Sequence, residues 1–147
     1  MIQNYQTEVS GKCFYPLLAF KRSNMKDPVL PDIQFESDSD ADTERERSII
    51  CKFCNYIVTY RDNIIEINGS HSHVCTNPAG NTYRIGCFSN ADGCMIHGEL
   101  TIEYTWFPGF LWNYAVCAQC NNHLGWFYQA SKQAFYGLIL NNLIENI

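Results

Sequence analysis

Residues 104–128 read YTWFPGFLWNYAVCAQCNNHLGWFY. The stretch holds all three tryptophans of the chain, Trp106, Trp112 and Trp126, with Tyr104, Phe107, Phe110, Tyr114, Phe127 and Tyr128 around them, and the cysteine pair Cys117 and Cys120. Aromatic side chains suit a pleated, half-buried surface. Phe107-Pro108-Gly109-Phe110 sets Pro and Gly in the order of a type II turn. The stretch therefore reads as strand, turn, strand over 113–116, a cysteine-bearing turn, and strand over 123–128. If Pro108-Gly109 alone forms the loop, Trp106 pairs with Leu111 and Trp112 faces the other side. One extra loop residue pairs Trp106 with Trp112 and brings both indoles together. The sequence leaves both registers open, and by themselves the rings read first as a sheet core.

Upstream, ELTIEYTW (99–106) alternates Leu100, Ile102, Tyr104 and Trp106 with Glu99, Thr101, Glu103 and Thr105. A period of two predicts a strand with one buried face. NIIEI (63–67) and TYRIGCF (82–88) read as further strands, set off by the turn signals Asn68-Gly69 and Asn77-Pro78-Ala79-Gly80. Phe135–Leu140 reads as the last strand, and the tail to Ile147 as a helical turn. No internal repeat is visible. This density of short strands predicts an all-β domain of antiparallel sheets over 49–147.

CKFC (51–54) stands 62 residues upstream of CAQC (117–120), counted over positions 55–116. A tight turn within each pair aims two sulfurs at one point, and two pairs make the tetrahedral tetrathiolate site of a structural Zn2+. Cys51, Cys54, Cys117 and Cys120 are thus the expected metal ligands, one ion per chain. With no position left for water, the ion is structural rather than catalytic. It joins the start of the domain to its end, a contact that otherwise carries a large loop-closure cost. Two disulfides, or exchange of a cysteine for His71, His73 or His123, are the competing arrangements. Cys13, Cys75, Cys87 and Cys94 lack such pairs and read as small buried residues. A Cys75–Cys87 or Cys87–Cys94 bridge stays open if the protein is secreted.

The chain has 147 residues, 46% hydrophobic and 14% aromatic, with a net charge of −5. Seven acids fall in 32–47, whereas 51–147 carry six acids and four bases. Phosphate binding needs clustered Lys and Arg, so a nucleic-acid surface is not expected. Pro28, Pro31 and ESDSDADTERER make residues 1–48 read as a disordered acidic N-terminal arm. FYPLLAF (14–20) is too short to cross a membrane. No signal peptide is evident, so a cytoplasmic or nuclear location is expected.

The 104–128 stretch, with CKFC before it, HVCTNPAGNTYRIGCFS (73–89) between and FYGLIL (135–140) after, resembles the CULT domain. This is the thalidomide-binding domain of cereblon, also found as stand-alone proteins. The W-F-P-G-[FY]-x-W spacing, the CxxC that follows and HLGW occur in order, over roughly 50–140. The resemblance implies a β-tent of two antiparallel sheets pinned by a four-cysteine zinc site. It places a three-tryptophan cage on Trp106, Trp112 and Trp126. It assigns a fourth aromatic position to Tyr128, a backbone contact to Tyr104 and a nearby turn residue to Asn77. The implied ligand is a neutral cyclic imide: a glutarimide or thalidomide-like ring, a cyclised Asn or Gln at a modified protein C-terminus, or a uridine-like ring. Cereblons often have His where Tyr104 stands and Phe where Tyr128 stands. They also carry a large Lon-type domain upstream that residues 1–48 cannot replace. A role as a substrate-recognition part of a ubiquitin ligase therefore does not carry over with the motifs.

Two rival functions share features with this chain. Zinc-containing methionine sulfoxide reductase has two CxxC pairs, but its nucleophilic cysteine follows the second pair, and no cysteine follows Cys120 here. A non-enzymatic binding module is therefore expected. An aromatic box can also read a methyl-ammonium group, and a rim carboxylate would favour that. On the alternating pattern, Glu103 lies opposite Tyr104 and Trp106.

Overall fold

Asn68-Gly69 turns the chain tightly, with positive φ at both residues (52° and 83°) and Ile67 bridged to Ser70. Asn and Gly are the residues that tolerate this region. Turns and loops separate nine strands in the computed structural model, which describes residues 47–146. They are β1 (Ser48–Cys51), β2 (Ile57–Tyr60), β3 (Ser72–Thr76), β4 (Thr82–Phe88), β5 (Cys94–Thr101), β6 (Leu111–Cys117), β7 (His123–Gln129), β8 (Ala134–Ile139) and β9 (Leu143–Glu145). Short 3-10 turns lie at Arg61–Asn63 and Leu140–Asn142, and no α-helix occurs among the described residues. The reading of 1–48 as a disordered arm, and Cys13 with it, falls outside the described residues except at Arg47 and Ser48. Ser48 is buried and opens β1.

Two antiparallel sheets result, one ordered β2-β1-β9 and the other β3-β4-β8-β7-β6-β5. This is the all-β, two-sheet β-tent that the sequence implied. In the small sheet β1 pairs with β9, Ile50 opposite Ile144, so the start of the domain is stitched to its end. One cluster of the core packs Ile49, Val58, Phe88, Leu124 and Leu138 around Cys51 and Cys117. The other packs Ile85, Phe107, Tyr128 and Phe135 beneath Trp106 and Trp126. Cys75 and Cys87 are fully buried in that second cluster, and no disulfide joins Cys75, Cys87 or Cys94.

The strand expected over 99–106 is only half there. β5 begins at Cys94 and stops at Thr101. Leu100, Ile102 and Tyr104 are exposed (44, 55 and 53%), and of the four alternating residues only Trp106 is buried, at 5%. Tyr104 has φ 56°, outside the extended region, so the alternation cannot continue through it. Trp106 sits on a loop, tethered across to β3 by its indole Nε1, which donates to the Thr76 carbonyl at 3.1 Å. Neither hairpin register forms: Trp112 lies opposite Thr101 on β5 and Tyr128 on β7. The Phe107–Phe110 turn does form, with Gly109 at φ 88° and Phe110 N–H donating to Phe107 C=O at 3.0 Å. Residues 63–67 are not a strand either; beyond the 3-10 turn, Ile64 makes a single bridge to Phe88. Phe135–Leu140 is not the last strand: a single 3-10 turn at Leu140–Asn142 is followed by β9, which the tail forms by pairing with β1 instead of continuing as a helical turn.

Candidate functional site

The two cysteine pairs meet. The sulfurs of Cys51, Cys54, Cys117 and Cys120 all lie within 4.8 Å of one another. Each pair is a knuckle of the same construction. Asn55 N–H donates to Cys51 C=O at 2.8 Å, and Asn121 N–H donates to Cys117 C=O at 2.9 Å. Asn55 and Asn121 have φ of 62° and 59°. Asn is among the few residues that enter this region at low cost, so the Asn after each CxxC is part of the motif. A tetrahedron with metal–sulfur bonds of about 2.3 Å has sulfur–sulfur edges of about 3.8 Å. Cys51 and Cys120 lie 3.7 Å apart and Cys54 and Cys117 3.6 Å apart, so the sulfur set fits such an ion.

The electrostatics of the bare sulfurs point the same way. Burial raises the Cys51 thiol and pushes Cys54 up to about 12. Cys120 is lowered to about 6, chiefly because the Asn122 side-chain N–H donates to its sulfur at 3.2 Å. As thiolates, four sulfurs this close would repel one another, and a bound cation would offset that repulsion. None of His71, His73 and His123 joins the cluster. His71 Nδ1 contacts the Cys87 carbonyl at 2.9 Å, His73 Nε2 the Ser70 carbonyl at 3.0 Å, and His123 Nε2 the Gly125 carbonyl at 2.8 Å.

On the opposite face of β6 and β7 lies a cleft of about 360 Å³. Side chains two apart on a strand share a face. Trp112 and Tyr114 on β6 therefore stand beside their partners Tyr128 and Trp126 on β7, while Asn113, Ala115 and Cys117 turn into the interior. Gly137 on β8 leaves room for Tyr128: a Cβ there would come within 2.9 Å of the Tyr128 ring. The loop after β5 adds Tyr104 and Trp106, and the β3–β4 turn adds Asn77 and Pro78. Trp106 meets Trp126 edge to face at 4.7 Å, and Tyr83 meets Trp126 the same way at 5.3 Å. Tyr128 is buried and stacks on Phe135 at 5.0 Å.

All six residues expected to touch a ligand thus line one cleft, although their local structure differs from expectation. Asn77 holds its own turn, its Oδ1 accepting from Asn81 N–H at 2.9 Å. The Trp112 indole N–H donates to the Glu103 carbonyl at 2.7 Å, tying the loop to β6. Four lining residues were not expected: Pro78, Tyr83, Tyr114 and His123. Tyr114 was readable as the i+2 neighbour of Trp112. His123 was not, because its place depends on a bulge. Ala115 and Val116 are adjacent on β6, yet their partners Gly125 and His123 are two apart on β7. The extra residue brings His123 and Trp126 onto one face, rings 4.9 Å apart. Gly125, at φ 154°, is required there, since a Cβ would lie 2.2 Å from the Gly137 carbonyl oxygen.

No family model matches the chain. Curated relatives do. It is 30% identical over 107 residues to the protein cereblon of Gallus gallus, which covers 68% of this chain and 24% of that protein. It is 32% identical over 108 residues to the protein cereblon of Drosophila persimilis, covering 65% and 17%. It is 31% identical over 107 residues to the protein cereblon of Xenopus tropicalis, covering 68% and 24%. The chain spans about a quarter or less of the length of these relatives. With the two-sheet fold and the four-cysteine cluster, these matches show that the chain carries a cereblon-like domain of the CULT type.

Proposed function

We propose that the chain is a zinc-containing binding module that captures a small neutral cyclic imide between Trp106, Trp112 and Trp126 and does no chemistry on it. The observation that carries this reading is the convergence of three indoles on one cleft beside a loop that carries unpaired backbone groups. Among the described residues, the N–H and C=O of Tyr104 and the N–H of Trp106 have no hydrogen-bond partner. A planar imide has one donor flanked by two acceptors. Backbone N–H and C=O groups on one loop match that edge, and the indole faces take up the ring. The left-handed Tyr104 costs about 1–2 kcal/mol, and strain of this kind persists where a site needs it. Tyr128 forms the floor, and the free Nδ2 of Asn77 is at hand for a ring substituent.

Zinc is the ion we assign to the four sulfurs, with a structural role, because the tetrathiolate leaves no place for substrate. The chemistry of the walls disfavours a methyl-ammonium ligand: no acidic side chain is among the lining residues, and Glu103 contributes only its carbonyl, to the Trp112 indole. A cyclised Asn or Gln at a protein C-terminus supplies an imide of the right kind. Presentation of such a chain to a ubiquitin ligase is the role this reading suggests for the domain when it is joined to further machinery. No helix among the described residues is long and apolar enough to cross a membrane. Titrating the purified chain with glutarimide and with trimethyl-lysine, followed by tryptophan fluorescence, tests the assignment. Glutarimide is expected to shift the emission and saturate. A response to trimethyl-lysine alone would overturn the reading.

A further inference from the structure

His123 lines the cleft, and its tautomer is fixed by the fold. Nε2 lies 2.8 Å from the Gly125 carbonyl, which only accepts, so Nε2 carries the proton. The ring packs edge to face on Trp126 at 4.9 Å and on Tyr114 at 5.5 Å, which sets its plane. Burial holds the imidazole below its ordinary pKa and keeps it neutral at physiological pH. Nδ1 is then a lone-pair acceptor, and among the described residues the ring's one hydrogen bond to protein is made by Nε2. An oriented acceptor on an aromatic wall calls for a donor on the ligand.

The imide N–H is not that donor, because the proposed function gives it to the loop carrying Tyr104 and Trp106, on a different element. A free glutarimide has no second N–H. The imide formed when a terminal Asn or Gln side chain closes on the backbone has one: the amide N–H on the ring carbon that joins the ring to the preceding residue. Resting on the cyclic-imide reading, we propose that His123 is a specificity-determining residue whose Nδ1 accepts this exocyclic amide N–H. The cleft then prefers an N-acylated amino-imide, the end of a polypeptide, over an unsubstituted ring.

Replacing the amide N–H by an ester oxygen isolates the contact. The full chain is titrated with 3-acetamidoglutarimide, 3-acetoxyglutarimide and glutarimide, and the series is repeated with His123→Phe. The wild type is expected to bind the acetamido ring about fivefold more tightly than the acetoxy ring, the effect of one neutral hydrogen bond. In His123→Phe that ratio falls to about one, whatever the change in the absolute affinity for glutarimide. A wild-type ratio near one, or a ratio that survives the substitution, overturns the role of His123 while leaving the imide reading standing. Failure of all three rings to bind the wild type overturns both. Nitrogen-15 spectra of the histidine-labelled wild type add a test that needs no variant: Nε2–H is expected, and an Nδ1–H tautomer rejects the proposal.

Discussion

Gly125→Ala isolates the backbone device that places both His123 and Trp126 on the cleft face. A Cβ at this position would lie 2.2 Å from the Gly137 carbonyl oxygen and 2.8 Å from the Leu138 Cα. Both belong to β8, whose ladder with β7 pairs Gly125 with Leu138 and Trp126 with Gly137. Neither can yield without opening that ladder. Overpacking of this sort costs about 1–3 kcal/mol. Holding alanine at φ 154° adds about 1–3 kcal/mol. Together they remove about 4 kcal/mol, a large part of the stability of a domain this size, and lower the thermal midpoint by roughly 20 °C. Gly80→Ala is the control. It too has a positive φ, 86°, but nothing lies within 4 Å of the added Cβ. It should cost only about 1 kcal/mol, or roughly 5 °C. Thermal unfolding followed by circular dichroism gives both numbers. If Gly125→Ala costs no more than Gly80→Ala, β7 and β8 do not pack as described, and the bulge is not what brings His123 and Trp126 together.

Cys117→Ser should leave the domain unfolded, because the metal's binding energy is folding energy; a folded variant in circular dichroism would contradict a structural site. A chain trimmed to begin at Arg47, which keeps the Arg47–Asp62 ion pair and the bond from Arg61 N–H to Arg47 C=O, should fold and bind glutarimide within about twofold of the full chain. A tenfold loss would count against dispensability of the acidic arm. Burial lowers the His123 pKa below 6.5, so an NMR titration should give a midpoint under that value. Between that midpoint and 6.5 the unfolded chain binds more protons than the folded one. The His123 contribution to stability therefore grows as pH rises through this window and is complete above 6.5. A midpoint at or above 6.5 would place the imidazole in solvent. Trp126→Ala should cost roughly 2–4 kcal/mol of imide binding by calorimetry, since its ring meets Trp106, Tyr83 and His123; an unchanged affinity would move the ligand elsewhere.

What the sequence made legible was chemistry at fixed local spacing. CKFC and CAQC announced a four-sulfur cluster because a CxxC turn has few geometries. Asn68-Gly69 and Phe107–Phe110 announced turns because their backbone angles demand those residues. β6, β7 and β8 were readable from clustered aromatic and apolar side chains. Alternation misled at 99–106, where Leu100, Ile102 and Tyr104 follow a buried-strand pattern yet face solvent. β5 is an edge strand, and past Thr101 the path is set by Tyr104 at positive φ and by two indole hydrogen bonds, Trp106 to Thr76 and Trp112 to Glu103. The bond to Thr76 spans 30 residues, a contact that no local window contains. For the same reason the sequence suggested strand backbone as the ligand's partner, whereas the unpaired groups lie on a loop. β1, β2 and β9 are three or four residues long and exist through pairing with one another, which leaves little local pattern.

The central claim is that a loop backbone beside three indoles reads the edge of an imide. Calorimetric titration of the purified chain with glutarimide and with N-methylglutarimide tests it directly. The methyl group removes the one ring donor and leaves a backbone carbonyl without a partner, while the apolar ring is otherwise retained. Saturable binding of glutarimide and no detectable binding of its N-methyl derivative is the predicted result; equal binding of the two would contradict the account, whatever the arrangement of the tryptophans.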